Sequence, residues 1–168
     1  MIIDQHNKLV RNLIFCILMM GMSACKSHFN TEKALSHAQA QTNQMISEVK
    51  EARKASGNKN LVSPRTLENG RLKLVPAGDW TSGFFPGELW YLFQLTGNDK
   101  WKQEAMASTA DIEGEKFNGK THDMGFKIYC SFGKGYELTG DQHYRDVIIQ
   151  AAKPLSTRFN PKVGAIRS

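Results

Sequence analysis

The chain has 168 residues and a formal net charge of +6, enough for one ordinary domain with a sizeable hydrophobic core. Its basic residues are dispersed with no lysine–arginine block, which argues against nucleic-acid binding; the mild positive excess favours encounter with an acidic substrate or is background. Of its three cysteines, Cys16 falls in a processing segment, Cys25 directly follows it as a candidate for modification, and Cys130 stands alone. That excludes a disulfide framework, and no cysteine–histidine cluster has metal-ligand spacing.

Lys8 and Arg11 precede the apolar run Leu13 to Met20, and Gly-Met-Ser-Ala-Cys closes the segment at Cys25. A basic start, a short apolar stretch and small residues before a cleavage point read as a secretory signal over residues 1–24. The run is too short for a stable membrane span. Met-Ser-Ala-Cys resembles a bacterial lipobox, which predicts that Cys25 becomes a lipidated first residue on a short tether, residues 25–30. The protein would then sit lipid-anchored in the periplasm or at the cell surface; an ordinary signal ending near a cysteine is the alternative. Removing Asp4, Lys8 and Arg11 with the signal leaves a net charge of +5.

From Thr31 to about Ala55, Leu35, Ala38, Thr42, Met45, Val49 and Ala52 recur at helical spacing. Residues 56–79 contain Gly57, Pro64, Gly70, Pro76 and Gly78, and predict a long irregular loop with a short extended piece at Leu72–Val75. Gly87 to Gly97 is apolar nearly all round, as in a helix buried on several sides. A second helix, about Lys100 to Glu113, carries one stripe: Trp101, Ala105, Ser108 and Ile112. Met124 to Leu138 is again rich in aromatic and small residues, with Cys130 reading as a core residue rather than a nucleophile. The last helix, about Gln142 to Arg158, has the stripe Tyr144, Val147, Ile148, Ala151 and Leu155.

The two halves repeat. Phe-Gln-Leu-Thr-Gly-Asn-Asp-Lys-Trp from Phe93 matches Tyr-Glu-Leu-Thr-Gly-Asp-Gln-His-Tyr from Tyr136, a spacing of 43 residues, and Gly83-Phe84 matches Gly125-Phe126 at 42. Gly97 and Gly140 suit left-handed helix ends, and Asp99 or Asp141 suits a cap for the following helix. A period of this length with two helices per unit predicts stacked helical hairpins. The alternation of inner and outer helices fits an all-α, α/α barrel better than a flat solenoid.

Asp-Trp-Thr-Ser-Gly-Phe, from Asp79, holds the same place in the first repeat as Thr-His-Asp-Met-Gly-Phe, from Thr121, in the second. Trp80 and the His122–Asp123 pair are therefore expected at one rim. Asp123 suits a helix cap or a substrate hydroxyl, His122 a surface position or a ligand contact, and Trp80 a plug or a platform for a sugar ring. Gly83, Gly87, Gly125, Gly133 and Gly135 weaken helices by up to about 1 kcal/mol each. Close helix packing, or a ligand near the backbone at Gly83 and Gly125, would justify them.

Asp-Trp-Thr-Ser-Gly-Phe-Phe-Pro-Gly-Glu-Leu-Trp, the later Leu-Thr-Gly, Thr-His-Asp-Met-Gly-Phe and the closing Val-Gly-Ala-Ile-Arg-Ser resemble glycoside hydrolase family 88. These are the unsaturated glucuronyl hydrolases; the related unsaturated rhamnogalacturonyl hydrolases match less well. The resemblance runs from about residue 31 to the end and implies part of an (α/α)6 barrel over residues 31–168. It implies a substrate with a non-reducing-end 4,5-unsaturated uronic acid and no metal or organic cofactor. In that family an aspartic acid protonates the C4=C5 double bond and water adds at C5. By motif, Trp80 resembles the stacking tryptophan, His122 a substrate-contacting histidine and Asp123 the first of two essential aspartates. The principal acid/base is expected beyond Ser168, so the resemblance implies a truncated, inactive member. A non-catalytic glycan-binding helical lipoprotein is the competing expectation.

Overall fold

The computed structural model describes residues 30–168. The signal segment and Cys25 lie outside the described residues. The chain divides into two compact units, Met1–Ser36 and His37–Ser168. The first contributes only the opening turns of the first helix to the described residues, and every later element belongs to the second.

Helix α1, Thr31–Ser56, turns Thr42, Ile46 and Val49 inward at spacings of four and three, the single stripe of a helix with one buried face. Where the sequence predicts an irregular loop over 56–79, the chain forms an antiparallel hairpin, β1 (Leu61–Glu68) and β2 (Arg71–Pro76). Asn69 and Gly70 join the strands, both with positive φ (51° and 74°), the backbone a tight two-residue hairpin turn requires. The Asn-Gly pair was the available signal. Pro64, which cannot donate to a ladder, sits where the register shifts.

Helix α2, Phe84–Thr96, starts three residues earlier than its apolar run suggests. Gly97 ends it in the left-handed region (φ 66°), its N–H donating to the Phe93 carbonyl. Asn98, rather than Asp99, caps α3, Asp99–Ala110: its side chain accepts from the Lys100 N–H at 3.0 Å. The 43-residue repeat aligns Asn98 with Asp141, and Asp141 caps the last helix, α5, Gln142–Ser156, in the same way. α3 buries Trp101, Ala105 and Thr109; Thr109 replaces the expected Ser108 because its hydroxyl accepts the Trp90 indole N–H at 3.0 Å. A 3-10 turn, Glu113–Phe117, follows the helix end.

The segment expected as one helix from Met124 is wound as a π-helix over Gly125–Gly133, continuing as α4, Lys134–Thr139. Helix α5 buries Tyr144, Val147 and Ala151, and a short hairpin, β3 (Phe159–Asn160) with β4 (Ala165–Ile166), ends the chain. Among the described residues no helix is long and apolar enough to cross a membrane.

Two glycines set how the repeats meet. A Cβ on Gly83 would lie 2.2 Å from the Phe126 carbonyl oxygen and 2.3 Å from that of Lys127, and one on Gly87 would lie 2.8 Å from the Cys130 carbonyl oxygen. The start of α2 thus rests on the backbone of the π-helix along a Gly-x-x-x-Gly face. Further along, Tyr144 joins the repeats, edge-on to Trp90 and to Phe132 at 6.1 and 5.4 Å between ring centroids, with Gly135 making room beneath. Gly125 is different: nothing lies within 4 Å of its Cβ position, so packing does not explain it. Gly83→Ala should therefore lower stability by about 2–3 kcal/mol through overpacking, whereas Gly125→Ala should be neutral or slightly stabilising. Denaturant melts of the two variants check the contrast.

Candidate functional site

The loop before α2 is held on every side. Ser63 donates to the Ser82 carbonyl at 2.8 Å, and Ser82 donates to the Ala77 carbonyl at 2.8 Å. Asp79 accepts from both the N–H and the hydroxyl of Thr81, at 2.9 and 2.6 Å, and pairs with Arg65 of β1. Burial alone would raise the Asp79 carboxyl; the Thr81 hydrogen bonds and the Arg65 guanidinium outweigh it and hold the group below its ordinary value. This fixes the backbone on both sides of Trp80.

The loop before the π-helix repeats the arrangement with residue types exchanged. At the 42-residue spacing Asp79 aligns with Thr121 and Thr81 with Asp123. Thr121 Oγ1 donates to Asp123 Oδ2 at 2.7 Å and accepts the Asp123 N–H at 3.1 Å. The exchange moves the carboxylate two positions nearer the helix, opposite His122, whose Nε2 lies 3.2 Å from Asp123 Oδ1. Asp123 does not cap the helix: among the described residues its carboxylate meets only Thr121 and His122, and no side chain caps the π-helix start. In the first repeat an arginine takes up the carboxylate. In the second, Asp123 keeps acceptor capacity free, its side chain 22% exposed and that of His122 51%.

The two loops share one end of the helices. Trp80, Phe84 and Phe126 form a three-ring cluster with centroids 5.7–5.9 Å apart, all edge-on or tilted, the geometry aromatic pairs prefer. Each of the three residues stays 41–47% exposed. Phe126 lies three residues after Asp123 and Trp80 three before Gly83, so the indole and the carboxylate flank one contact between repeats. Sequence reasoning passed over the two phenylalanines as site residues, although the repeated Gly-Phe pairs flag them. It also missed Lys127, whose side chain is fully buried and whose Nζ lies 2.6 Å from Glu115 Oε2; nothing in the local pattern marks that pair.

Cys130 is half-buried, and burial pushes its thiol up, away from nucleophilic use. Among the described residues no group of three or more His, Cys, Asp or Glu could hold a metal ion. An open aromatic wall beside an uncapped, partly exposed carboxylate can stack a sugar ring and accept hydrogen bonds from its hydroxyls.

No protein-family model matches the chain. An unsaturated glucuronyl hydrolase from Formosa agariphila is 40% identical over 172 residues, 95% of this chain and 42% of that protein. An unsaturated chondroitin disaccharide hydrolase from Streptococcus pneumoniae is 29% identical over 63% of this chain and 27% of its own length. Among solved structures, an unsaturated glucuronyl hydrolase specific for heparin superposes with a TM-score of 0.65 at 37% identity, over 80% of this chain and 35% of that one. A Streptococcus agalactiae unsaturated glucuronyl hydrolase mutant complexed with dGlcA-GalNAc6S shares the fold, with a TM-score of 0.60 at 22% identity over 80% of this chain and 35% of its own. The chain is similar over nearly its whole length to an unsaturated glucuronyl hydrolase, shares its fold with solved members of that name, and spans less than half the length of the relatives it matches.

The depressed Asp79 carboxyl carries a sign. A carboxyl whose folded pKa lies below its unfolded value, about 3.9 for aspartate, stabilises the fold above that value, and the contribution disappears as pH falls through the folded pKa. Asp79→Asn should therefore melt below the wild type at neutral pH, with the gap closing under about pH 4. Thermal melts across pH check this.

Proposed function

We propose that these residues supply the substrate-gripping rim of a hydrolase acting on oligosaccharides that carry a non-reducing-end 4,5-unsaturated uronic acid. The observation that carries the proposal is the single rim on which the Trp80–Phe84–Phe126 wall meets the helix start bearing His122 and Asp123. The names of the relatives, with action on unsaturated glucuronyl and chondroitin saccharides, support the same substrate class.

In this proposal Trp80 offers its face to the sugar ring and His122 donates or accepts at a ring substituent. Asp123 holds a sugar hydroxyl and, as a nearby negative charge, keeps a second carboxylic acid protonated. That second group, which the family resemblance puts outside this chain, delivers a proton to C4 of the vinyl ether. Water adds at C5, giving a hemiketal that opens as the glycosidic bond breaks, so the C4=C5 double bond is lost and a free saccharide leaves. The (α/α)6 ring around this rim, the signal over residues 1–24 and the lipid on Cys25 belong to the same proposal, with the enzyme anchored outside the cytoplasm where polysaccharide-lyase products arise.

The test follows the ultraviolet absorbance of the unsaturated uronate in the full natural polypeptide to which these residues belong. Asp123→Asn should lower kcat by about 100-fold or more with the circular dichroism spectrum unchanged. Turnover close to wild type in that variant would remove Asp123 from the site.

A further inference from the structure

Lys127 is a buried cation that the proposed reaction does not use. Its side chain has no exposed surface, a position lysine occupies only with a partner. It lies one turn beyond Asp123, and its N–H donates to the Asp123 carbonyl at 3.2 Å. Its ammonium points away from that helix to Glu115 Oε2 at 2.6 Å and to the Gly78 carbonyl at 3.5 Å. Glu115 stands on the 3-10 turn, steadied by Asn118 Nδ2 on the same oxygen at 2.6 Å. Its other oxygen lies 3.7 Å from where a Cβ on Gly78 would be. One ammonium therefore ties three segments: the helix that begins beside Asp123, the 3-10 turn, and the loop that carries Trp80 two residues after Gly78.

We propose that the buried Lys127–Glu115 pair is a positioning latch that sets the Trp80 loop against the helix start bearing Asp123. Arg65 of the hairpin holds that loop through Asp79, and Lys127 holds it through the neighbouring Gly78 carbonyl. The Lys127 side chain has no surface open to a ligand, so its effect on substrate passes through the placement of Trp80. That part of the inference rests on the proposed saccharide site; the placement itself does not.

A purely structural ion pair, once removed, would disturb the fold as a whole. A latch would disturb one indole. Trp80 is exposed, whereas Trp90 and Trp101 are buried in the core, so the chain labelled with 5-fluorotryptophan should give three separable fluorine resonances, assigned with Trp80→Phe. Lys127→Met, which keeps the length of the side chain and removes the charge, should shift or broaden the Trp80 resonance alone, and Lys127→Arg should restore it. If Lys127→Met does not fold, Glu115→Gln loosens the same latch with no loss of volume and should move the same resonance. In the full natural polypeptide, Lys127→Met should lower kcat/KM by up to about 100-fold, the loss an ångström-scale misplacement brings, chiefly through KM. An unmoved Trp80 signal in a folded Lys127→Met or Glu115→Gln variant, or equal movement of all three indoles, overturns the latch. A wild type that leaves the uronate absorbance untouched overturns the proposed function and leaves the fluorine result standing.

Discussion

The rim depends on one approach of backbone to backbone. At Gly83 the first turn of α2 touches the carbonyls of Phe126 and Lys127 so closely that no side-chain atom fits between them. Helices normally meet through side chains, with axes about 8–10 Å apart; here a missing Cβ removes that spacing at the end where both leading loops emerge. The consequence is local and chemical. Phe84 and Phe126, each directly after its repeat's rim glycine, are brought into contact, and Trp80 completes a cluster that neither repeat could build alone.

A second theme is how the two repeats treat the same hydrogen-bonded pair. Each rim loop joins an aspartate to a threonine two residues away. In the first repeat the aspartate comes first and its carboxylate is consumed by Thr81 and Arg65. In the second the threonine comes first, and the carboxylate stays partly open beside an imidazole. A duplicated scaffold thus yields one loop built for rigidity and one that keeps a charged group available. The rigid loop presents the aromatic platform and the open loop presents the polar group. Preorganised placement of that kind suits the saccharide site proposed above, since ordering costs met during folding are not met again on binding.

Much of the fold was legible because its signals are local. Period-3.6 stripes marked α1, α3 and α5, and the paired Leu-Thr-Gly segments marked the helix ends at Gly97 and Gly140, both left-handed in the structure (φ 66° and 69°). The hairpin was legible too, through Asn69-Gly70, but the density of glycine and proline around it resembled a loop. The first cap, expected at Asp99, falls instead at Asn98, which the 43-residue repeat aligns with Asp141; asparagine and aspartate cap about equally well, so residue preference did not separate the two.

What the sequence by itself determined was the order of helices, the repeat, the family motifs and hence the rim on which Trp80, His122 and Asp123 lie. These rest on contacts within a turn or two of chain, where spacing dictates geometry. Only the tertiary structure decided that Gly83 and Gly87 serve packing while Gly125 does not, that Asp123 escapes capping, and that Lys127 is buried against Glu115. Each of those depends on which atoms a distant segment brings within a few ångströms, and a lysine in a sequence carries no mark of whether it will meet water or a carboxylate.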